Sequence, residues 1–347
     1  MPENLLTYLQ QLLDTGMPFM AMRTAGAIPV LVLSQLDDLL HNEPHDKLSY
    51  GVFSKFKSNS NQVFIYGEVN KIFNYVQQPF SVTSLPVSLS KTARQKHLNL
   101  VQQALAILQS TDLVKVVLSR KQTFKTQRTH IALFARLLDA YPTANCYFFY
   151  HPKVGSWMGA TPELLLNITQ DTLTTMSLAG TALWEENKNH TWGKKELEEQ
   201  QLVTNYIVAS LADAGVKDVT AGPLETVRAG KLLHLRTMIQ AAVSLEKHAA
   251  IAAALHPTPA ICGIPTDQAR ACILAYEGYD RSYYAGYLGI VRPDLRQASY
   301  FVNLRCMELQ DNDAVVYVGG GITALSNAQA EVEETIHKSH TMRFLIQ

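Results

Sequence analysis

The sequence lacks the cysteine spacings that hold structural metals or build disulfide frameworks. Its 347 residues include only four cysteines, at unrelated positions: Cys146, Cys262, Cys272 and Cys306. This spacing matches neither a zinc site nor a small disulfide-rich domain. We therefore expect reduced thiols in a cytoplasmic protein.

The sequence also has no segment typical of a secretion leader or a membrane span. Residues 1–4 are not a basic region leading into an apolar core. No uncharged apolar run approaches the length of about 18 residues that a spanning helix needs. We expect neither secretion nor insertion into a membrane.

No excess of charge of either sign is present. Thirty lysines and arginines balance thirty aspartates and glutamates. No overall field therefore attracts nucleic acid or an anionic membrane, and any anionic ligand must be met by local charges. Hydrophobic residues make up 47% of the chain, enough for a large core in one large domain or two ordinary ones.

Strand patterns occur in hairpin-like runs with helical patterns between the runs. This arrangement predicts an α+β fold with largely antiparallel sheets. Helices are predicted over residues 5–13, 92–109, 131–138 and 196–214. Strands are predicted over residues 114–120, 146–150, 157–160, 164–168, 173–178, 283–291, 298–309 and 314–318.

Residues 81–90 are the one candidate for an internal boundary, because they contain four serines and a proline. The strands that precede them need pairing partners elsewhere in the chain. We therefore expect residues 1–90 to be a degenerate N-terminal part of the same domain as a catalytic core at residues 91–347.

Lys115 and Glu163 are candidates for proton transfer. Lys115 interrupts a valine-rich strand, and an inward-facing ammonium there would be desolvated, with its pKa lowered toward the range of a general base. An outward-facing strand lysine is equally compatible with the pattern. Glu163 follows a strand and Pro162, and burial would raise the pKa of its carboxyl as a general acid requires. The alternative is a surface glutamate in a turn.

Two helical patterns each carry a pair of glutamates three residues apart. Glu196 and Glu199 begin the long helix, and Glu331 and Glu334 lie on one face of the C-terminal helix, with Lys338 one turn further on. Carboxylate oxygens are the hard ligands that Mg²⁺ takes. The alternatives are acidic residues that favour a helix N-terminus and an ordinary Glu-to-Lys pair on a solvated face.

Glycines at three joints offer close backbone approach. Gly180 precedes Thr181, residues 256–265 hold Gly263 among prolines, and Gly319, Gly320 and Gly321 are predicted to turn sharply between a strand and a helix. Backbone amides at such turns bind anions, although plain tight turns are the alternative. The triple glycine lacks the Gly-Lys-Ser/Thr ending of a nucleotide loop.

Two further polar residues stand in apolar surroundings. Arg305, in a predicted strand, has the planar donors that bind a carboxylate at two points. His234 is either a site residue or a hydrogen-bonded histidine of the core.

Taken in order, these motifs resemble those of chorismate-utilising enzymes, which include anthranilate, aminodeoxychorismate, isochorismate and salicylate synthases. The resemblance covers the chain from Thr92 to the C-terminus. It implies one catalytic domain with a large antiparallel β-sandwich core, helices packed outside and an active site in a deep cleft. The motifs that carry it are residues 115–120, 159–163, 178–181, Glu199 with Leu202 and Val203, residues 234–235, 256–265, 284–286, 319–321 and 331–338.

The resemblance also implies a role for each candidate residue. Mg²⁺ would be held by Glu199 and Glu334, supported through water by Glu196 and Glu331, and would bind the ring carboxylate of chorismate. Lys115 would be the base that activates water for attack at C2, and Glu163 the acid that protonates the departing C4 hydroxyl. The remaining substrate-binding residues would be Lys338 with Gly319, Gly320 and Gly321 near the ring carboxylate, Tyr284 and Arg305 at the enolpyruvyl carboxylate, and Gly180, Thr181, His234 and Ala260.

A few positions separate the branches of this family. Members that add ammonia lack a lysine like Lys115 or carry a nucleophilic lysine where Ala179 stands, so water is the expected nucleophile. Salicylate synthases tend to carry threonine where this chain has Ala260, which favours a reaction that stops at isochorismate. Gln200 departs from the histidine that many relatives have next to the metal-binding glutamate, which leaves the details of the metal shell open.

The resemblance thus implies an Mg²⁺-dependent isochorismate synthase, and we expect a monomer. The alternatives are a salicylate synthase and a non-catalytic chorismate-binding protein.

Overall fold

The computed structural model describes residues 4–57, 62–80, 89–186, 190–229 and 232–347. Helices and runs of strands alternate along them. The helices are α1 (Leu5–Asp14), α2 (Lys91–Ser110), α3 (His130–Ala140), α4 (Lys194–Asp213), α5 (His248–Leu255), α6 (Thr266–Tyr276) and α7 (Ala328–Ile346). The strands are β1 (Phe19–Arg23), β2 (Pro29–Ser34), β3 (Tyr50–Ser54), β4 (Val63–Tyr66), β5 (Val69–Asn74), β6 (Lys115–Lys125), β7 (Asn145–His151), β8 (Gly155–Thr161), β9 (Leu164–Thr169), β10 (Thr172–Leu183), β11 (Thr220–Ala229), β12 (Leu232–Ala242), β13 (Gly263–Ile264), β14 (Tyr287–Arg292), β15 (Gln297–Val302), β16 (Cys306–Gln310) and β17 (Asp313–Thr323).

The strands form two sheets. A nine-stranded sheet has the order β13-β6-β17-β16-β8-β7-β1-β2-β5, and an eight-stranded sheet has the order β11-β12-β10-β9-β15-β14-β3-β4. Neighbouring strands run antiparallel, as in the hairpin of β7 and β8 and the long pairing of β6 with β17. The predicted α+β class with antiparallel sheets is confirmed.

The two sheets pack face to face through aromatic side chains. Phe53 of β3 stacks on Phe149 of β7 with ring centroids 4.4 Å apart. The ring centroid of Trp157 on β8 lies 6.0 Å from that of Phe53. Gly51 of β3 lets the backbones approach, since a Cβ there would lie 2.8 Å from the sulfur of Met20 on β1. These contacts confirm the predicted sandwich core.

Helices cover the outer faces of the sandwich. Leu9 of α1, Phe134 of α3 and Leu345 of α7 are fully buried in one cluster with Phe148 of the nine-stranded sheet. On the other sheet, α4 packs against β10 and β12. Its buried face is Val203, Ile207 and Leu211, whereas Leu197, expected in the same stripe, is 41% exposed.

Two predicted strands differ from the observed ones, and both differences bear on the site. Residues 298–309 are not one strand: β15 ends at Val302 and β16 begins at Cys306, with Arg305 between them at φ 48°. Residues 283–286 are not strand either, because β14 begins at Tyr287. Arg305 and Tyr284 therefore lie at strand ends, where their side chains can point into a cavity.

The prediction of a sharp turn at Gly319, Gly320 and Gly321 is wrong. These residues continue β17 in register with Ser119, Leu118 and Val117 of β6. The turn follows Thr323, and α7 begins at Ala328 as predicted. The pairing with β6 outweighs the local preference of three glycines for a turn, because β6 supplies a complete partner strand.

The first ninety residues supply strands to both sheets. β1 pairs with β7, and β3 pairs with β14. Most of the candidate boundary at residues 81–90 lies outside the described residues. Among the described helices, none combines the length and apolarity needed to cross a membrane.

Candidate active site

A cavity of about 150 Å³ opens between the ends of the two sheets, α4 and α7. Most of the predicted site residues line it, from both sheets and both helices. They are Glu163, Gly180, Thr181, Glu196, Glu199, His234, Ala260, Tyr284, Arg305, Gly319, Gly321, Glu334 and Lys338. The fold therefore brings together, at one cavity, predicted site residues that are distant in the chain.

Lys115 lies directly behind this lining. Its side chain is 1% exposed and its Nζ donates to Glu199 Oε1 at 2.7 Å. A Cβ on Gly321 would lie 3.0 Å from its Cε, so the glycine makes room for the lysine. Of the two orientations that the strand pattern allows, the inward one is confirmed.

Glu163 is held by the segment between β8 and β9. Its backbone carbonyl accepts from Val302 N–H at 3.0 Å, and its side chain is 5% exposed. Burial raises the pKa of its carboxyl to about 7, although the nearby charges of Lys115 and Arg305 act in the opposite direction. The carboxyl is therefore a proton donor near neutral pH, and the surface-turn alternative is excluded.

His234 and Arg305 form a fixed polar pair on the cavity wall. Arg305 Nη2 lies 2.8 Å from His234 Nε2, and His234 Nδ1 lies 2.8 Å from the carbonyl of Gly180. Because a guanidinium only donates, Nε2 must accept, and the ring proton must sit on Nδ1. Burial, followed by the charge of Arg305, lowers the pKa of His234 to about 3. The imidazole is therefore neutral and of one tautomer.

A bulge in β10 aims the Gly180 carbonyl at this histidine. The pairing of β10 with β12 shifts register between Ala179 and Ala182, and Gly180 has φ +66°. Only glycine adopts this conformation without strain. Gly180 and Thr181 thus line the cavity from a bulge within β10, so the prediction of a turn with anion-binding amides at this joint is wrong.

Tyr284 closes another wall. Its ring stacks on Tyr317 with centroids 5.4 Å apart, and burial raises the pKa of its phenol well above the usual value. A Cβ on Gly319 would lie 2.9 Å from its hydroxyl oxygen. The protonated phenol is therefore a hydrogen-bond donor that reaches the cavity because residue 319 has no side chain.

Three of the four predicted glutamates lie beside two successive glycines of β17, whose Cβ positions face opposite sides of the strand. A Cβ on Gly320 would lie 3.6 Å from Glu331 Oε2 and 4.0 Å from Glu334 Oε1. A Cβ on Gly321 would lie 3.2 Å from Glu199 Oε1. Gly320 and Glu331 are not part of the cavity lining itself. The glycines thus leave space for carboxylate side chains. They do not form the predicted turn whose amides would bind an anion.

Lysines accompany these carboxylates. Lys338 Nζ lies 2.5 Å from Glu334 Oε1 and donates to the Gly319 carbonyl at 3.2 Å. Glu199 contacts Lys115. The predicted proximity of Glu334 and Lys338 on one helix face is confirmed. Each lysine ammonium lies beside a carboxylate, which favours a positive charge at that place.

The donor chemistry of these glutamates fits Mg²⁺, because each offers a hard carboxylate oxygen. Their present arrangement is not a closed metal site: no three His, Cys, Asp or Glu side chains of the described ranges converge as metal ligands.

Several cavity residues were not among the sequence candidates. They are Val117, Pro162, Leu178, Ala179, Ile261, Ala285, Leu304, Tyr317 and Val318. The signal for Val117 was available, because it shares a face of β6 with Lys115. Leu304 and Tyr317 carry no such signal, since apolar and aromatic residues are most often core.

Comparison with known proteins gives a consistent result. A family model described as "Chorismate binding enzyme" matches residues 53–347. The isochorismate synthase DhbC of Bacillus subtilis (strain 168) is 31% identical over 196 residues, which cover 53% of this chain and 49% of that protein. The isochorismate synthase MenF of Escherichia coli (strain K12) is 29% identical over 285 residues, which cover 77% of this chain and 65% of that protein. The chain thus spans about half to two thirds of the length of these curated relatives.

Solved structures share the fold. The menaquinone-specific isochorismate synthase MenF from Escherichia coli matches with a TM-score of 0.81 at 20% identity, covering 95% of this chain and 89% of that chain. Anthranilate synthase component I from Streptococcus pneumoniae TIGR4 matches with a TM-score of 0.70 at 19% identity, covering 93% and 89%. One architecture therefore serves more than one branch.

Proposed function

We propose that this chain, which belongs to the chorismate-binding enzyme family, converts chorismate to isochorismate. The observation that carries the proposal is a buried lysine and a buried carboxyl at one cavity, with the pKa of Glu163 raised to about 7. A protein that only bound chorismate would need neither an acid nor a base. The relatives named as isochorismate synthases support the same reaction.

The proposed chemistry adds one water and releases another. A water attacks C2 of the ring and gives a proton to Lys115 Nζ, while both ring double bonds shift and the C4–O bond breaks. Glu163 donates the proton that lets the C4 hydroxyl leave as water. Product and substrate are therefore isomers. To accept that proton, Lys115 must meet the water as a neutral amine, so it must first lose a proton and give up its ion pair with Glu199.

The remaining polar residues would bind the two carboxylates of the substrate. Tyr284, a phenol donor, and Arg305, held by neutral His234, would receive the enolpyruvyl carboxylate. Lys338 would lie at the ring carboxylate, and Gly319, Gly320 and Gly321 would leave the space that it occupies. Gly180 and Thr181 would border the ring.

Mg²⁺ would be held by Glu199 and Glu334, with Glu196 and Glu331 in support through water. When bound, it would supply positive charge for the ring carboxylate. The position of Glu196, Glu199 and Glu334 on the lining of one cavity supports this ligand set.

Ala260 supports a reaction that stops at isochorismate. It lines the cavity with a methyl group, at the position where the resemblance places threonine in salicylate synthases. The chain therefore has no hydroxyl at this place to take part in pyruvate elimination.

We further propose that residues 1–90 and 91–347 form one domain, supported by the pairing of β1 with β7 and of β3 with β14. A cytoplasmic monomer is our expectation for the whole protein. The four free, buried cysteines fit a reducing compartment.

The test is chromatography of the products formed from chorismate with Mg²⁺, beside an identical sample with EDTA. We expect isochorismate in the first sample and unchanged chorismate in the second. Salicylate with pyruvate would overturn the assignment based on Ala260, and unchanged chorismate in both samples would favour a non-catalytic binding protein.

A further inference from the structure

An ion pair outside the proposed machinery is fully buried beside the cavity. Glu277, the residue that follows α6, and Arg281, four residues further along the chain, are 1% and 2% exposed. Arg281 Nε donates to Glu277 Oε2 at 2.8 Å, and Nη2 donates to Glu277 Oε1 at 2.5 Å. Burying two charges carries a desolvation cost, so a pair that is only structural has no advantage over apolar residues.

The other donors of Arg281 hold two walls of the cavity. Nη1 donates to the carbonyl of Ile261 at 3.0 Å, and Nη2 donates to the carbonyl of Val117 at 2.6 Å. Both of these residues line the cavity. Ile261 is the neighbour of Ala260, and Val117 lies two residues from Lys115 on β6.

A third wall depends on the same residue. The carbonyl of Arg281 accepts from the N–H of Tyr284 at 2.9 Å, and its guanidinium lies 5.9 Å from the Tyr284 ring centroid. On its other side the guanidinium covers the ring of Phe56 at 4.4 Å. The plane of Arg281 is thus fixed by aromatic rings, a carboxylate and two carbonyls together.

Glu277 ties this group to β6 a second time. Its Oε1 accepts from the backbone N–H of Ser119 at 2.6 Å and from the Ser119 hydroxyl at 2.8 Å. The same hydroxyl lies 2.6 Å from the hydroxyl of Tyr279. The carboxylate therefore joins α6 to the strand that carries Lys115.

We infer that the Glu277–Arg281 pair positions the substrate-binding walls of the cavity, with Arg281 as a positioning residue that acts through Ile261 and Tyr284. The inference rests on the proposed function, because chorismate is taken as the ligand of those walls. Among the described residues, the hydrogen bonds of Arg281 go to Glu277, Ile261, Val117 and Tyr284, and none goes to Lys115 or Glu163. Its loss should therefore weaken substrate binding more than the chemical step.

The first test is Arg281→Lys, which keeps the charge opposite Glu277 but cannot hold a carboxylate and two carbonyls in one plane. We expect KM for chorismate to rise about tenfold and kcat to change less than about threefold, the loss expected of a few misplaced contacts. The control is Arg296→Lys, the same change in an exposed pair with Asp171, which should leave both constants unchanged. Unchanged KM in Arg281→Lys would overturn the inference.

A second variant separates positioning from stability. Replacing the pair by apolar residues, Glu277→Leu with Arg281→Met, removes the buried charges and often leaves stability unaffected. A positioning pair predicts a folded protein with raised KM, whereas a merely structural pair predicts a folded protein with normal KM. This variant decides the question if Arg281→Lys does not fold.

Hydrogen exchange gives a reading that needs no substrate. Deuterium uptake should rise in peptides covering residues 115–120, 258–263 and 282–286 of Arg281→Lys, relative to wild type and Arg296→Lys. Unchanged uptake there would contradict the inference. If wild type itself does not turn over chorismate, the proposed function fails while the exchange result still judges the role of the pair.

Discussion

The cavity has two sides whose charged groups are stabilised in different ways. On the paired side, Lys115 lies 2.7 Å from Glu199 and Lys338 lies 2.5 Å from Glu334. On the desolvated side, burial sets the protonation state: the pKa of Glu163 rises to about 7 and that of His234 falls to about 3. On the paired side, charges are stabilised by oppositely charged partners. On the desolvated side, exclusion of water sets the protonation state.

This difference separates exchangeable charge from fixed charge. A carboxylate opposite an ammonium can exchange that cation for a metal ion and remain paired, whereas an unpaired buried charge would be costly. A desolvated carboxyl or imidazole keeps its protonation state as long as the wall stays dry. The paired side is thus suited to bind ligands, and the desolvated side is suited to hold a proton in place.

The largest expected effect is on the paired side, from Lys115→Ala. We expect turnover of chorismate to fall at least about a hundredfold, because the base is lost, while chorismate binding persists. The measurement is kcat together with binding calorimetry. The matched control is Lys125→Ala, which removes an exposed lysine of the same strand and its pair with Asp313. Comparable turnover in Lys115→Ala would disprove the role.

On the desolvated side, Glu163→Gln keeps the shape of the side chain and removes the proton. We expect kcat to fall about a hundredfold. In wild type, kcat should decrease as pH rises through about 7, because Glu163 loses the proton that it donates. The control Glu198→Gln changes an exposed glutamate of α4. A wild-type kcat that stays level from pH 6 to about 8 would contradict this assignment.

The same variant should change the pH dependence of stability. The pKa of Glu163 is raised from 4.5 to about 7 on folding, so the folded state binds more protons between these values. Its contribution is therefore complete below pH 4.5 and is lost as pH rises through about 7. Relative to wild type, Glu163→Gln should gain about 3 kcal/mol of unfolding free energy across this range. Denaturant titrations at several pH values measure it, and a difference that does not vary with pH would show that the carboxyl is not desolvated.

A smaller effect is expected at His234, where two variants divide its hydrogen bonds. His234→Gln can still accept from Arg305, whereas His234→Asn can at most keep the donor to the Gly180 carbonyl. We expect KM to rise about tenfold in His234→Asn and less in His234→Gln, because an unaccepted guanidinium loses its orientation. The reverse order would show that the Gly180 contact matters more.

On the desolvated side, the sequence identified the polar residues but not the backbone that places them. Glu163 was identifiable from the proline before it, but its burial was not, because the same pattern fits a glutamate in a surface turn. The break at Arg305 was not predictable, because residues 303–305 contain neither glycine nor proline, and φ 48° is imposed by the neighbouring chain.

On the paired side, the spacing of the glutamates was informative and the glycines were misleading. Helical periodicity placed Glu196 with Glu199 and Glu331 with Glu334 on common faces. Gly319, Gly320 and Gly321 belong to a strand because β6 pairs with them, and their lack of side chains admits Tyr284 and the carboxylates. Contacts of this kind join residues far apart in the chain, so local sequence patterns do not predict them. The Glu277–Arg281 pair had only the spacing of an ordinary surface pair.

Isotope labelling tests most directly whether the C2 hydroxyl of the product comes from solvent water, as the roles of Lys115 and Glu163 require. Chorismate is converted with Mg²⁺ in H₂¹⁸O, stopped at low conversion so that the reverse reaction does not exchange label, and the isochorismate is analysed by mass spectrometry. We predict one ¹⁸O atom in the product, at C2. Unlabelled isochorismate would contradict the proposed roles of both residues, because the hydroxyl would then have moved without exchange with solvent.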